Sequence, residues 1–74
     1  MLNTLSVMKA VIIDDEPAIG NTISSILKKN FSDIIVIATA GSVAEGLTAI
    51  MLHKPEIVFL DVELPDGSGF DILK

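Results

Sequence analysis

The sequence predicts an α/β protein, an open doubly wound parallel sheet running β-α-β-α-β and into the start of a third helix. Three observations predict it. Three short, nearly unbroken apolar runs rich in β-branched residues, Ala10 to Ile13, Ile34 to Ala38 and Ile57 to Leu60, read as strands covered on both faces. The segments between them carry apolar residues at helical spacing, bounded by caps and stops. No repeat, low-complexity tract or linker interrupts the alternation, which favours right-handed crossovers.

The first intervening helix starts at Pro17, whose fixed φ suits the first helical position. Ile19, Ile23, Ile26, Leu27 and Asn30 form its stripe, and Lys28 and Lys29 complement the dipole of its last turn. Asn30 can take the left-handed stop, so the helix ends there.

The second helix opens at Ser42-Val43-Ala44-Glu45, a capping box in which hydroxyl and carboxylate each take an orphan amide. Val43, Leu47, Ile50 and Met51 supply its apolar face, Gly46 costs it about 1 kcal/mol relative to Ala, and Pro55 ends it after His53-Lys54. His53 reads as a helix C-terminal residue. Past the third strand, Leu64-Pro65-Asp66-Gly67 is turn chemistry that positions the loop. Ser68-Gly69-Phe70-Asp71 then resembles a weaker capping box opening a third helix, which the sequence enters by one turn before Lys74. Met51, Phe59 and Phe70 read as core.

Composition bounds the function. With 74 residues the chain is one small domain or part of one, and its half-apolar composition excludes intrinsic disorder. A domain of this size buries only about 60% of its unfolded surface, and without cysteine it lacks a staple. A net charge of -5 argues against nucleic-acid contact, which needs clustered Lys and Arg, and leaves excess acid for a cation. No apolar run approaches a membrane span and Met1 to Met8 lacks a signal peptide's pattern, so a cytoplasmic protein is expected. Residues 1–7 read as an N-terminal extension and 8–74 as the N-terminal portion of the domain.

Ligands of open α/β sheets bind beyond the carboxyl ends of the strands. Strand one ends in Asp14-Asp15-Glu16 and strand three in Asp61-Val62-Glu63, whereas strand two ends in Thr39-Ala40. If strands one and three are neighbours, three aspartates crowd together. Like charges about 4 Å apart repel by about 4 kcal/mol at an effective dielectric of 20. Either protons or a hard divalent cation must relieve this, and magnesium suits oxygen ligands that leave room for water and phosphate. A strand-tip aspartate beside such a cation can attack phosphorus to give an acyl phosphate.

Val11 to Pro17 (VIIDDEP) and Val58 to Gly69 (VFLDVELPDGSG) closely resemble response regulator receiver domains, with the acidic pair, the strand-three aspartate and the Pro-Asp-Gly turn at family spacing. The resemblance runs from Met8 over nearly the whole chain. It implies a flavodoxin-like fold with strand order 2-1-3 and a role in two-component signalling. Asp61 would be the phosphoacceptor, served by a sensor histidine kinase. Asp15 would bind Mg2+ directly, Asp14 mostly through water, and Glu63 through its main-chain carbonyl. Whether the Glu63 side chain borders the site or is an exposed loop acid stays open. The resemblance also implies a Ser or Thr after strand four and a Lys after strand five, neither of which falls within these residues.

Two other readings are weighed against this phosphorylated receiver. One is a pseudo-receiver that acts only as an interaction module, and the other a Mg2+-dependent aspartyl phosphohydrolase suggested by Asp61-x-Glu63. No enzymatic turnover is expected of the receiver itself. Strand three would carry an open edge, which invites self-association.

Overall fold

The apolar run that opens the domain becomes its central strand. A computed structural model describes residues 7–73, in which β1 (Met8–Ile13) lies between β2 (Ile34–Ala40) and β3 (Ile57–Leu60), parallel to both. The strand order 2-1-3 is the expected one. The expected extension over 1–7 lies, apart from Val7, outside the described residues, as does Lys74.

Ala10, Val11, Ile12 and Ile13 are essentially fully buried. Alternation sends Val11 and Ile13 to one face of the sheet and Ile12 to the other. Val11 and Ile13 join Ala40 and Leu64 in a core packed against Val43, Ala49 and Ile50 of α2 (Val43–His53). Ile12 faces Gly20 of α1 (Pro17–Asn30), whose Leu27 is the buried residue of its apolar stripe. The two helices thus cover opposite faces. Continuous apolarity meant two covered faces for β1 only, since Ile35 of β2 and Val58 of β3 are exposed on these outer strands. Along β1 and β2 the register slips by one residue after Ala10, leaving Ile37 as a bulge.

Both helices begin as expected, and Pro17 opens α1 at its first position. Helix α1 ends at Asn30, but Asn30 does not take the expected left-handed stop: it stays helical, and Phe31 (φ −137°) closes the last turn with its N–H on Leu27 O at 2.7 Å. In α2 the Ser42 hydroxyl accepts from Glu45 N–H at 3.0 Å, while the Glu45 carboxylate reaches one residue further than a capping box requires, to Gly41 N–H at 3.0 Å. Lys54 turns left-handed (φ 48°) and hands the chain to Pro55.

Two of the three expected core residues are surface residues. Met51 is 75% exposed and Phe70 61%, whereas Phe59 is half-buried. The reason for Met51 is Gly46. Helix α2 comes closest to β1 there, so its buried line runs through Val43, Gly46 and Ile50 and turns Leu47 and Met51 aside. A β-carbon on Gly46 would stand 2.8 Å from Ile13 Cδ1 and 3.1 Å from Ile72 Cδ1. The glycine that weakens the helix locally is what allows it to dock.

Beyond β3 the expected α-helix is replaced by two smaller elements. A hairpin, β4 (Glu63–Leu64) with β5 (Gly67–Ser68), has Pro65 and Asp66 at its tip, and a 3-10 helix (Gly69–Leu73) follows. Ser68 and Asp71 still exchange caps, with Ser68 Oγ accepting from Phe70 N–H and the Asp71 carboxylate from Ser68 N–H. Ile72 takes the place against the core, which turns Phe70 outward. Among the described residues β3 pairs with β1 alone, so its outer edge is open, and no helix is long and apolar enough to cross a membrane.

Candidate metal centre

The sheet ladder itself delivers the acids to one place. Ile13 pairs with Leu60, so the residues that follow them, Asp14 and Asp61, leave adjacent strands side by side. Asp14 N–H still bonds to Ala40 O and Asp61 N–H to Ile13 O, both at 2.9 Å, so the backbone under each carboxylate is anchored in the sheet. Asp15 is exposed, and Asp14 and Asp61 are half-buried.

Asp14, Asp15 and Asp61 each offer a carboxylate oxygen, and these oxygens all lie within 4.8 Å of one another. Opposite ligands of a magnesium ion are ~4.2 Å apart at its usual bond length. The separations in the trio therefore exceed a direct magnesium shell by at most ~0.6 Å, which a small turn of the exposed Asp15 side chain can close, and one ligand acting through water removes even that. An oxygen-only donor set that leaves positions open fits magnesium and not zinc, which favours nitrogen and sulfur ligands.

Backbone amides fix two of the three carboxylates. Glu16 N–H donates to Asp14 Oδ1 at 2.8 Å, and Glu63 N–H donates to Asp61 Oδ1 at 3.2 Å. Each bond spends one carboxylate oxygen and leaves the other for the pocket. Glu16, placed at the N-cap of α1, makes no side-chain cap of its own. Glu63 is exposed and paired with Ser68 in the hairpin.

A fourth aspartate acts at the far end of that hairpin. The Asp66 carboxylate accepts from Val43 N–H at 2.7 Å and Ala44 N–H at 3.1 Å, capping α2 from more than twenty residues away. These two amide bonds hold its pKa below the ordinary 3.8. Turn chemistry at Asp66 was legible in the sequence, but the target of its side chain was not. At the base of the hairpin, Gly69 N–H bonds to Val62 O at 2.8 Å, and a β-carbon on Gly69 would collide with the Asp61 carbonyl oxygen. His53, at the end of α2, is half-buried and far along the chain from these groups.

Known proteins share the sequence pattern and the fold. The family profile of the response regulator receiver domain matches residues 10–74. The chain is 38% identical over 65 residues to the sensory transduction protein LytT of Enterococcus faecalis, covering 88% of this chain and 26% of that protein. It is 39% identical over 67 residues to protein-glutamate methylesterase/protein-glutamine glutaminase 1 of Oleidesulfovibrio alaskensis, covering 90% and 18%. The chain thus spans about a quarter or less of the length of these relatives. Among solved structures, the response regulator PhyR from Brucella abortus superposes with a TM-score of 0.80 at 31% identity, over 90% of this chain and 27% of that one. The response regulator domain of Thermotoga maritima CheB shares the fold, with a TM-score of 0.83 at 22% identity over 90% and 49%.

Proposed function

The chain belongs to the response regulator receiver domain family, and on that premise we propose that Asp61 accepts a phosphoryl group from a phosphohistidine of a partner histidine kinase, with Mg2+ held beside it. The observation that carries this reading is the convergence of the Asp14, Asp15 and Asp61 oxygens to within 4.8 Å at the ends of adjacent strands. Asp15 would hold the metal directly and Asp14 mostly through water, with the Glu63 main-chain carbonyl as a further ligand.

The carboxylate oxygen of Asp61 left free by Glu63 N–H attacks phosphorus. The bond from phosphorus to the donor imidazole nitrogen breaks, its electron pair stays on that nitrogen, and Asp61 carries the group as an acyl phosphate. Magnesium, when bound, neutralises charge on the phosphoryl oxygens in a loose transition state. The chain's own contribution is alignment: β1 and β3 hold metal ligands and nucleophile in register, and the amides of Glu16 and Glu63 fix the two strand-tip carboxylates. This chemistry is a single stoichiometric acceptance followed by hydrolysis, with no sustained turnover.

Intact-mass measurement after exposure to acetyl phosphate tests the reading. One Mg2+-dependent phosphoryl adduct is expected, absent in Asp61→Asn. Continuous release of phosphate from an ester substrate would favour a phosphohydrolase instead. No adduct on the wild-type chain would overturn the proposal in favour of an interaction module.

A further inference from the structure

The acidic trio is supported from a direction that the strand tips do not explain. Four backbone amides open α2, and each has a partner. Glu45 N–H goes to Ser42 Oγ, a local cap, and Gly46 N–H to Ser42 O, the first bond of the helical ladder. Val43 and Ala44 N–H go instead to the Asp66 carboxylate at the hairpin tip. The same end of α2 lies beside the other half of the site, since Gly41 and Glu45 line one cavity with Asp14 and Asp15. The start of α2 therefore meets the strand-one acids through Gly41 and the strand-three loop through Asp66.

The hairpin between Asp66 and Asp61 links this anchor to the site. Leu64 is buried in the core beside Val43, Glu63 pairs with Ser68 and Leu64 with Gly67, and Gly69 N–H closes the base on Val62 O. At that base, Glu63 N–H holds the Asp61 carboxylate. That segment carries both the Glu63 amide and the Glu63 carbonyl.

We propose that Asp66 is a positioning residue of the acidic site: by clamping the hairpin tip onto the first turn of α2 it sets the path of Val62 to Leu64, and so the affinity of the trio for Mg2+. This rests on the metal reading above. Asp66 touches neither the metal nor the phosphoryl group in this account, and its effect passes through Glu63.

The competing explanation is that Asp66 only stabilises α2. Ser42→Ala separates the two, because it removes a cap at the same helix end without touching the hairpin. Magnesium titrations followed by the amide resonances of Glu16 and Glu63 would be run on wild type, Asp66→Asn, Asp66→Ala and Ser42→Ala. The titrations would be run in ~0.15 M salt, which damps the long-range effect of the lost charge. Asp66→Asn is expected to weaken Mg2+ binding at least ~5-fold, the low end of typical coupling between sites, and to move the metal-free Glu63 resonance. Ser42→Ala should lower the urea midpoint yet leave both readings at wild-type values. Should Asp66→Ala not fold, Asp66→Asn decides. Equal weakening by Asp66→Asn and Ser42→Ala, or none by Asp66→Asn, overturns the proposal. A wild-type chain whose Glu16 and Glu63 resonances ignore Mg2+ overturns the metal reading itself.

Discussion

Asp14 and Asp61 are held by the same device on neighbouring strands: each carboxylate accepts the backbone N–H two residues ahead, from Glu16 at 2.8 Å and from Glu63 at 3.2 Å. Both aspartates directly follow paired strand residues, Ile13 and Leu60, so the two turns stand next to each other. Side chains already fixed lose little conformational entropy when they engage a cation. The like charges they bring together repel, and a divalent ion between them turns that repulsion into attraction.

Gly69 is where the strand-three loop presses most tightly on the site. A β-carbon there would run into the Asp61 carbonyl oxygen and stand 2.9 Å from Leu60 Cγ. Backbone cannot yield as a side-chain tip can, so Gly69→Ala is expected to destabilise by about 1–3 kcal/mol in urea unfolding. It should also weaken Mg2+ binding, because the Asp61 backbone must move. Wild-type stability in this variant would mean that the loop does not close on Asp61 as described.

Gly46 sets helix propensity against packing. Alanine gains about 1 kcal/mol in an exposed helix, but here its β-carbon meets Ile13 Cδ1 at 2.8 Å, and overpacking costs about 1–3 kcal/mol. Gly46→Ala is therefore expected to be destabilising. Ile13→Val removes the clashing methyl, so the double variant should be more stable than the sum of the two single changes implies. Additive behaviour in a thermodynamic cycle would contradict this contact.

The sheet and the trio were legible in the sequence because both rest on local patterns. The runs Ala10 to Ile13 and Ile57 to Leu60 mark their strands, and acids at strand ends mark a site wherever the strands are adjacent. What escaped depends on non-local approach. Apolar spacing in α2 favours Leu47 and Met51, yet the helix turns its Gly46 line inward because only a glycine lets it reach Ile13. Asp66 reads as a turn residue by type, and nothing near it in the chain reveals that its carboxylate ends on Val43 and Ala44. Phe70 suffers from the same limit, since a 3-10 helix presents Ile72 to the core instead.

Asp66 should leave a signature in acid. Its pKa is lowered by the amides of Val43 and Ala44, below the ordinary 3.8. A carboxyl depressed on folding stabilises the protein above its unfolded pKa and loses that contribution as pH falls through its folded pKa. The stability gap between wild type and Asp66→Asn is thus expected to be flat from about pH 7 to about pH 5 and to shrink below about pH 3.8. Urea midpoints across this range check it, and a gap that widens in acid would contradict the assignment.

The outer edge of β3 has no partner among the described residues, and Val58 and Val62 are exposed on and just beyond that strand. Open edges with apolar neighbours recruit other chains. The 74-residue polypeptide is expected to self-associate with rising concentration in sedimentation velocity, and a monomer at all concentrations would contradict this.

The central claim, that Asp14, Asp15 and Asp61 form one magnesium site, is tested most directly by isothermal titration of Mg2+ into wild type and the three Asp→Asn variants. One ion per chain is expected, with each of Asp14→Asn, Asp15→Asn and Asp61→Asn weakening it about 10-fold or more. An affinity unchanged by all three substitutions, or heat from an ion bound elsewhere, would contradict it.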